Sequence, residues 1–126
     1  MPRILVIDDD VTIRTALSRT LAAAGYQVDV AADGQEGVKK QAAEPADLAV
    51  VDLFMPEKEG LETIEELRKL SPNIALIAIS GGHATSASML SVAQTLGADR
   101  ILEKPFDSKL LLWMIARALG SQAKGS

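Results

Sequence analysis

The sequence contains no cysteine, which excludes disulfides and thiolate metal sites. Aromatic residues fill only 3% of its 126 positions, so any core has to be aliphatic, built from Leu, Ile, Val and Ala. No apolar run approaches the about 20 residues of a membrane-spanning helix. Met1-Pro2-Arg3 leads into an apolar run too short for a signal peptide. A cytoplasmic location with no membrane partner is therefore expected. Excess positive charge is also lacking, because the formal net charge is −4. Such a surface has no general attraction for nucleic acid, so no direct nucleic-acid partner is expected, while a local acidic site stays open. The single histidine, His83, reads as an exposed loop or helix-start residue rather than a catalyst.

Short apolar runs alternate with helical patterns, and 48% hydrophobic residues suffice for one core in one domain. Ile4 to Ile7 has the β-branched character of a buried strand. From Val11 to Ala24, Ile13, Leu17, Leu21 and Ala24 fall at helical spacing, and Gly25 stops that helix. Gln27 to Ala31 reads as a strand, Gly34 to Ala43 as a helix ended before Pro45, and Leu48 to Val51 as a third strand. Leu61, Ile64, Leu67 and Leu70 line a third helix that stops before Pro72. Ile74 to Ile79 is a fourth strand, and Ala84 to Leu96 a helix poor in large apolar residues, closed by Gly97. Arg100 to Leu102 is a short fifth strand, and Ser108 to Leu119 a last helix with Gly120 after it. Five β-α repeats predict an α/β fold with a parallel sheet, helices on both faces and right-handed crossovers. Residues 1–120 form the domain, and 121–126 read as a small, polar, frayed tail.

Polar residues gather where the strands stop. Asp8, Asp9 and Asp10 follow the first, Asp52 the third, Ser80-Gly81-Gly82 the fourth and Lys104-Pro105 the fifth. In an open parallel sheet these ends share one edge, where ligands bind. Crowded carboxylates at Asp8, Asp9 and Asp52 need a compensating cation. Oxygen donors suit a hard ion, Mg²⁺ or Mn²⁺. Lys104 adds an ammonium and Ser80 a hydroxyl. A cation, an ammonium and a hydroxyl around one carboxylate make a cradle for a phosphoryl group, whose transfer depends on positioning and charge neutralisation. Asp52 is then the candidate nucleophile, becoming an acyl phosphate. Taken singly, each residue is ordinary: Asp10 reads as a helix cap, Asp52 as a turn residue, Ser80-Gly81-Gly82 as a loop and Lys104 as a solvated turn. Their conjunction is the signal.

The stretches ILVIDDD, VVDLFMPEKEG, IAISGG and ILEKPF, in that order, resemble the receiver domain of bacterial two-component response regulators. The likeness runs from Arg3 to about Leu119. It implies a doubly wound, flavodoxin-like (βα)5 fold with strand order 2-1-3-4-5. It implies that Asp52 is the phosphoacceptor, Asp9 a direct metal ligand, Asp8 a ligand through metal-bound water, and the Phe54 backbone carbonyl a third protein ligand. Ser80 corresponds to the switch hydroxyl and Lys104 to the family's lysine. The phosphoryl donor would be a histidine on a sensor histidine kinase or a histidine phosphotransfer protein. The domain would then be a phosphorylation-controlled switch that promotes its own modification and slow dephosphorylation, with no separate substrate turnover.

Three positions depart from the family pattern. Ile101 stands where an aromatic often accompanies the switch hydroxyl, which leaves the Gly81-Gly82 loop and the helix after it to carry the conformational signal. Phe54 places a ring where a smaller or polar residue is common; either the ring shields the phosphoryl group, which should then be lost more slowly than in a Phe54→Asn variant, or it only packs against a neighbouring loop or partner. Glu59-Gly60 replaces the common Asp-Gly. The expected protein is a single-domain regulator, against a receiver fragment of a larger regulator or a phosphorylation-independent scaffold. Its unknown downstream partner, or a second copy in a homodimer, would use the surface of the fourth helix, fifth strand and fifth helix. There Leu111, Leu112, Trp113 and Met114 are consecutive and cannot all face one core. A flavin module would need donors rather than Asp-Asp-Asp after the first strand. An aspartate-nucleophile phosphatase would need an acid at Phe54.

Overall fold

The computed structural model describes residues 1–53, 59–81 and 87–124. Five strands, β1 (Arg3–Ile7), β2 (Gln27–Ala31), β3 (Leu48–Asp52), β4 (Ala75–Ser80) and β5 (Arg100–Glu103), form one parallel sheet in the order β2-β1-β3-β4-β5. The helices between and after them are α1 (Val11–Ala23), α2 (Gly34–Ala43), α3 (Glu59–Leu70), α4 (Ala87–Leu96) and α5 (Ser108–Lys124). The expected α/β, doubly wound architecture is the observed one.

The side-chain alternation of the strands builds two aliphatic layers. Leu5, Ile7, Ala49, Val51, Leu76 and Ala78 pack with Leu61, Ile64 and Leu67 of α3 and Ala93 of α4. Ile4, Val6, Leu48, Val50, Ile77 and Ile79 pack with Leu17 and Leu21 of α1 and Leu111, Met114 and Ile115 of α5. β3 and β4 are buried along their whole length. Each fully buried Leu or Ile in these layers contributes about 2 kcal/mol of burial free energy.

The helices end largely where the sequence places them. Gly25 and Gly97 adopt φ of +98° and +129°, the left-handed region that terminates α1 and α4. Leu61, Ile64 and Leu67 are buried as expected, but Leu70 is exposed on the last turn, and Ala24 is exposed beyond α1. The last helix differs more: it passes through Gly120 to Lys124. A glycine stops a helix when it takes a left-handed cap; a lone helical glycine costs only about 1 kcal/mol relative to alanine. The start expected for the fourth helix, 84–86, lies outside the described residues.

Candidate phosphoryl-transfer and metal site

Parallel pairing brings the carboxyl ends of β1, β3, β4 and β5 to one rim. Asp52 is the last residue of β3 and Asp8 follows β1 directly; both are almost completely buried, while Asp9 is exposed. A carboxylate oxygen from each of the three lies within 4.8 Å of the others. Lys104 Nζ stands 3.7 Å from Asp52 Oδ2. The Lys104 N–H donates to the Ser80 carbonyl at 2.9 Å, and the Lys104–Pro105 peptide is cis. Ser80 is fully buried at the end of β4, one position beyond Ile79, the register partner of Asp52. A shallow cavity of about 380 Å³ opens over the rim, lined by Asp9, Asp10, Ile13, Asp52 and Lys104.

Asp10 does what a cap does: its Oδ1 accepts from the N–H groups of Thr12 at 2.8 Å and Ile13 at 3.4 Å. Asp8 is the electrostatically costly member. Burial pushes its carboxyl from the ordinary 3.8 up to about 6; the charges of Asp52 and Asp9 push the same way, while the Asp10 N–H and Lys104 oppose the rise. One oxygen, Oδ1, accepts from the Asp10 N–H at 2.9 Å. The other, Oδ2, is buried with no hydrogen-bond partner among the described residues. A buried oxygen without a donor, inside an all-carboxylate set, fits a hard divalent cation and satisfies the donor chemistry such an ion needs.

The structure therefore joins Asp8, Asp9, Asp52 and Lys104, with Ser80 on the adjacent strand end. Ile101 is half-buried against the layer beneath α3 and α4. Phe54, Gly82 and His83 lie outside the described residues. Two contributors escaped the sequence reading. Gly60, noted there only beside Glu59, lets α3 approach the acidic strand end: a Cβ on it would lie 2.6 Å from the Asp52 carbonyl oxygen and 2.9 Å from Leu53 Cα. Arg14 bonds the Asp8 carbonyl. The only signal for Arg14 was a basic residue one turn into the helix after an acidic triplet.

This fold with this rim defines a doubly wound domain that presents an acidic, lysine-backed pocket at its carboxyl edge. The profile of the response regulator receiver domain matches residues 4–116, and the chain belongs to that family. It is 36% identical over 110 residues to response regulator MprA of Mycolicibacterium vanbaalenii, which covers 87% of this chain and 47% of that protein. The chain thus spans about half the length of the curated relatives it matches. A CheY-like receiver domain protein from Methanospirillum hungatei JF-1 superposes with a TM-score of 0.95 at 33% identity, covering 100% of this chain and 99% of that one. A response regulator from Burkholderia pseudomallei, solved with a phosphorylated aspartic acid, a calcium ion and citrate, gives 0.84 at 30% identity, covering 100% of this chain and 74% of that one. Among the described residues, no helix is long and apolar enough to cross a membrane.

Proposed function

We propose that this receiver domain is a phosphorylation-activated switch in which Asp52 accepts the phosphoryl group. The reading is carried by the convergence of the Asp8, Asp9 and Asp52 carboxylates within 4.8 Å beside Lys104. The phosphorylated aspartic acid and calcium ion of the Burkholderia relative support it. An oxygen lone pair of Asp52 forms the new O–P bond while the P–N bond to a donor histidine breaks. The imidazole leaves with that electron pair and takes up a proton. The donor is a sensor histidine kinase or a histidine phosphotransfer protein, as response regulators require in general.

Asp9 and Asp52 would hold Mg²⁺ or Mn²⁺ directly, with the Phe54 carbonyl, and Asp8 through water. The ion would supply charge neutralisation for the phosphoryl oxygens and the crowded carboxylates. Lys104, already facing Asp52, moves its ammonium to a phosphoryl oxygen as negative charge accumulates there. The Ser80 hydroxyl donates to another oxygen and couples the modification to β4 and α4. The domain acts on itself alone, gaining and slowly losing the phosphoryl group. Its output is a changed surface on α4, β5 and α5, offered to a downstream protein or a second copy.

Intact-mass measurement after incubation with acetyl phosphate and Mg²⁺ tests this. The wild type is expected to gain one phosphoryl group and Asp52→Ala none; an adduct that survives in Asp52→Ala overturns the assignment.

A further inference from the structure

The Asp8 carbonyl belongs to the peptide unit that joins Asp8 to Asp9. The plane of that unit sets how the two consecutive carboxylates lie relative to each other. Arg14, on the first turn of α1, turns its guanidinium back over the β1–α1 connection, where Nη1 donates to this carbonyl at 2.7 Å. The bond spans six residues and reaches outside the helix, so α1 does not need it in order to form. The helix is already started by the Arg14 N–H on the Asp10 carbonyl at 3.0 Å and by the Asp10 cap.

Other bonds hold the flanks of the turn. The Asp8 N–H donates to Ala31 on the β2 side at 3.1 Å, and the Asp10 N–H donates to Asp8 Oδ1 at 2.9 Å. Asp9 sits between these anchors and is exposed, so burial does not fix it. The peptide unit that leads into it is the one whose carbonyl Arg14 grips. A guanidinium suits this task because it is planar, always charged and rigid in its donor geometry.

We propose that Arg14 is a positioning residue for divalent-cation binding, clamping the Asp8–Asp9 peptide so that the Asp9 carboxylate stays convergent with those of Asp8 and Asp52. This rests on the reading of the rim as a cation site. Charge and geometry make opposite predictions, which makes the idea decidable. A guanidinium close to a divalent cation repels it, so removing Arg14 for electrostatic reasons alone would tighten binding. Removing a clamp would loosen it, since loss of a group that orients metal ligands commonly weakens affinity by about 10-fold or more.

The test titrates the full chain with Mg²⁺ by calorimetry and with Mn²⁺ by electron paramagnetic resonance, at one ionic strength. Circular dichroism in EDTA checks the folding of each variant. Arg14→Gln is expected to bind both ions about 10-fold more weakly than the wild type. Arg14→Lys keeps the charge but loses the planar donor set, and is expected to bind at least about twofold more weakly. Equal or tighter binding by folded Arg14→Gln overturns the proposal. If Arg14→Gln does not fold, Arg14→Lys decides: its charge is unchanged, so weaker binding supports the clamp and wild-type affinity overturns it. A wild type that takes up neither ion overturns both this inference and the cation-site reading, whereas failure in the variants alone leaves the site reading standing.

Discussion

The two rims of the sheet treat charge in opposite ways. At the amino rim, Arg68 near the end of α3 donates to Pro72 O at 2.9 Å, Ile74 O at 2.7 Å, Gly97 O at 2.5 Å and Asp99 Oδ2 at 3.1 Å. Asp99 Oδ2 in turn accepts the Leu76 N–H at 2.8 Å. Arg3 bridges Asp29 and Glu44 in the same manner, each at 3.3 Å. At the carboxyl rim, Asp8, Asp9 and Asp52 crowd together against Lys104, and Asp8 keeps a buried oxygen without a donor among the described residues. One rim meets most of its charges with partners and stabilises the fold, although Arg3 Nε stays buried without a hydrogen-bond partner among the described residues. The other stores electrostatic cost that a divalent cation would relieve.

The contrast predicts that truncation at the amino rim costs stability, whereas neutralisation at the carboxyl rim adds it. Arg68→Ala removes the shared donor from the Pro72, Ile74 and Gly97 carbonyls; we expect a loss of about 3 kcal/mol in urea unfolding, with cation binding at the far rim unchanged. A large change in that binding would break the separation between the rims. Asp8→Asn should do the reverse in metal-free solution. The folded protein binds the Asp8 proton more tightly than the unfolded chain, so stability falls as pH rises from about 3.8 to about 6 and stays lowered above that. The variant should therefore gain about 2–3 kcal/mol at pH 7 and almost nothing near pH 4, while losing affinity for Mg²⁺. A parallel shift at both pH values would remove Asp8 as the source.

Two smaller effects sharpen the boundary of the acidic site. Gly60→Ala forces a methyl against the backbone of Asp52 and Leu53. A cost of about 2 kcal/mol is expected, with slower labelling of Asp52 by acetyl phosphate, because the clash is with backbone that cannot rotate away. Asp10→Ala should cost about 1 kcal/mol, since Asp10 sits in the acidic triplet yet caps α1. A gain in stability from Asp10→Ala would instead place it among the mutually repelling carboxylates. Both are read from thermal or urea midpoints.

Helix α5 shows how the same side-chain type can serve different ends. Leu111, Met114 and Ile115 are buried, while Leu110 and Trp113 are exposed and Arg117 lies 4.9 Å over the Trp113 ring. Helical spacing foretold that the run from Leu111 to Met114 could not be wholly internal; which residue faced outward needed the packing of α5 on the sheet. Helix α2 begins and ends as its pattern indicates, because Asp33 caps it and the chain turns before Pro45. The end of α5 was illegible, because a glycine's meaning depends on whether its φ turns positive, and nothing local forces that at Gly120.

The amino-acid order alone determined the alternation of strands and helices, the aliphatic character of both layers, and the placement of Asp8, Asp9, Asp52, Ser80 and Lys104 at strand ends. These follow from periodicity and from side-chain chemistry, which are local properties. Only the tertiary structure decided that Asp8 is buried with a raised pKa, that Arg14 reaches back over the turn, that Gly60 must lack a side chain, and that Arg68 ties the opposite rim. Each of those depends on distances between segments far apart in the chain, and burial, hydrogen-bond geometry and charge crowding are defined only once the segments are packed.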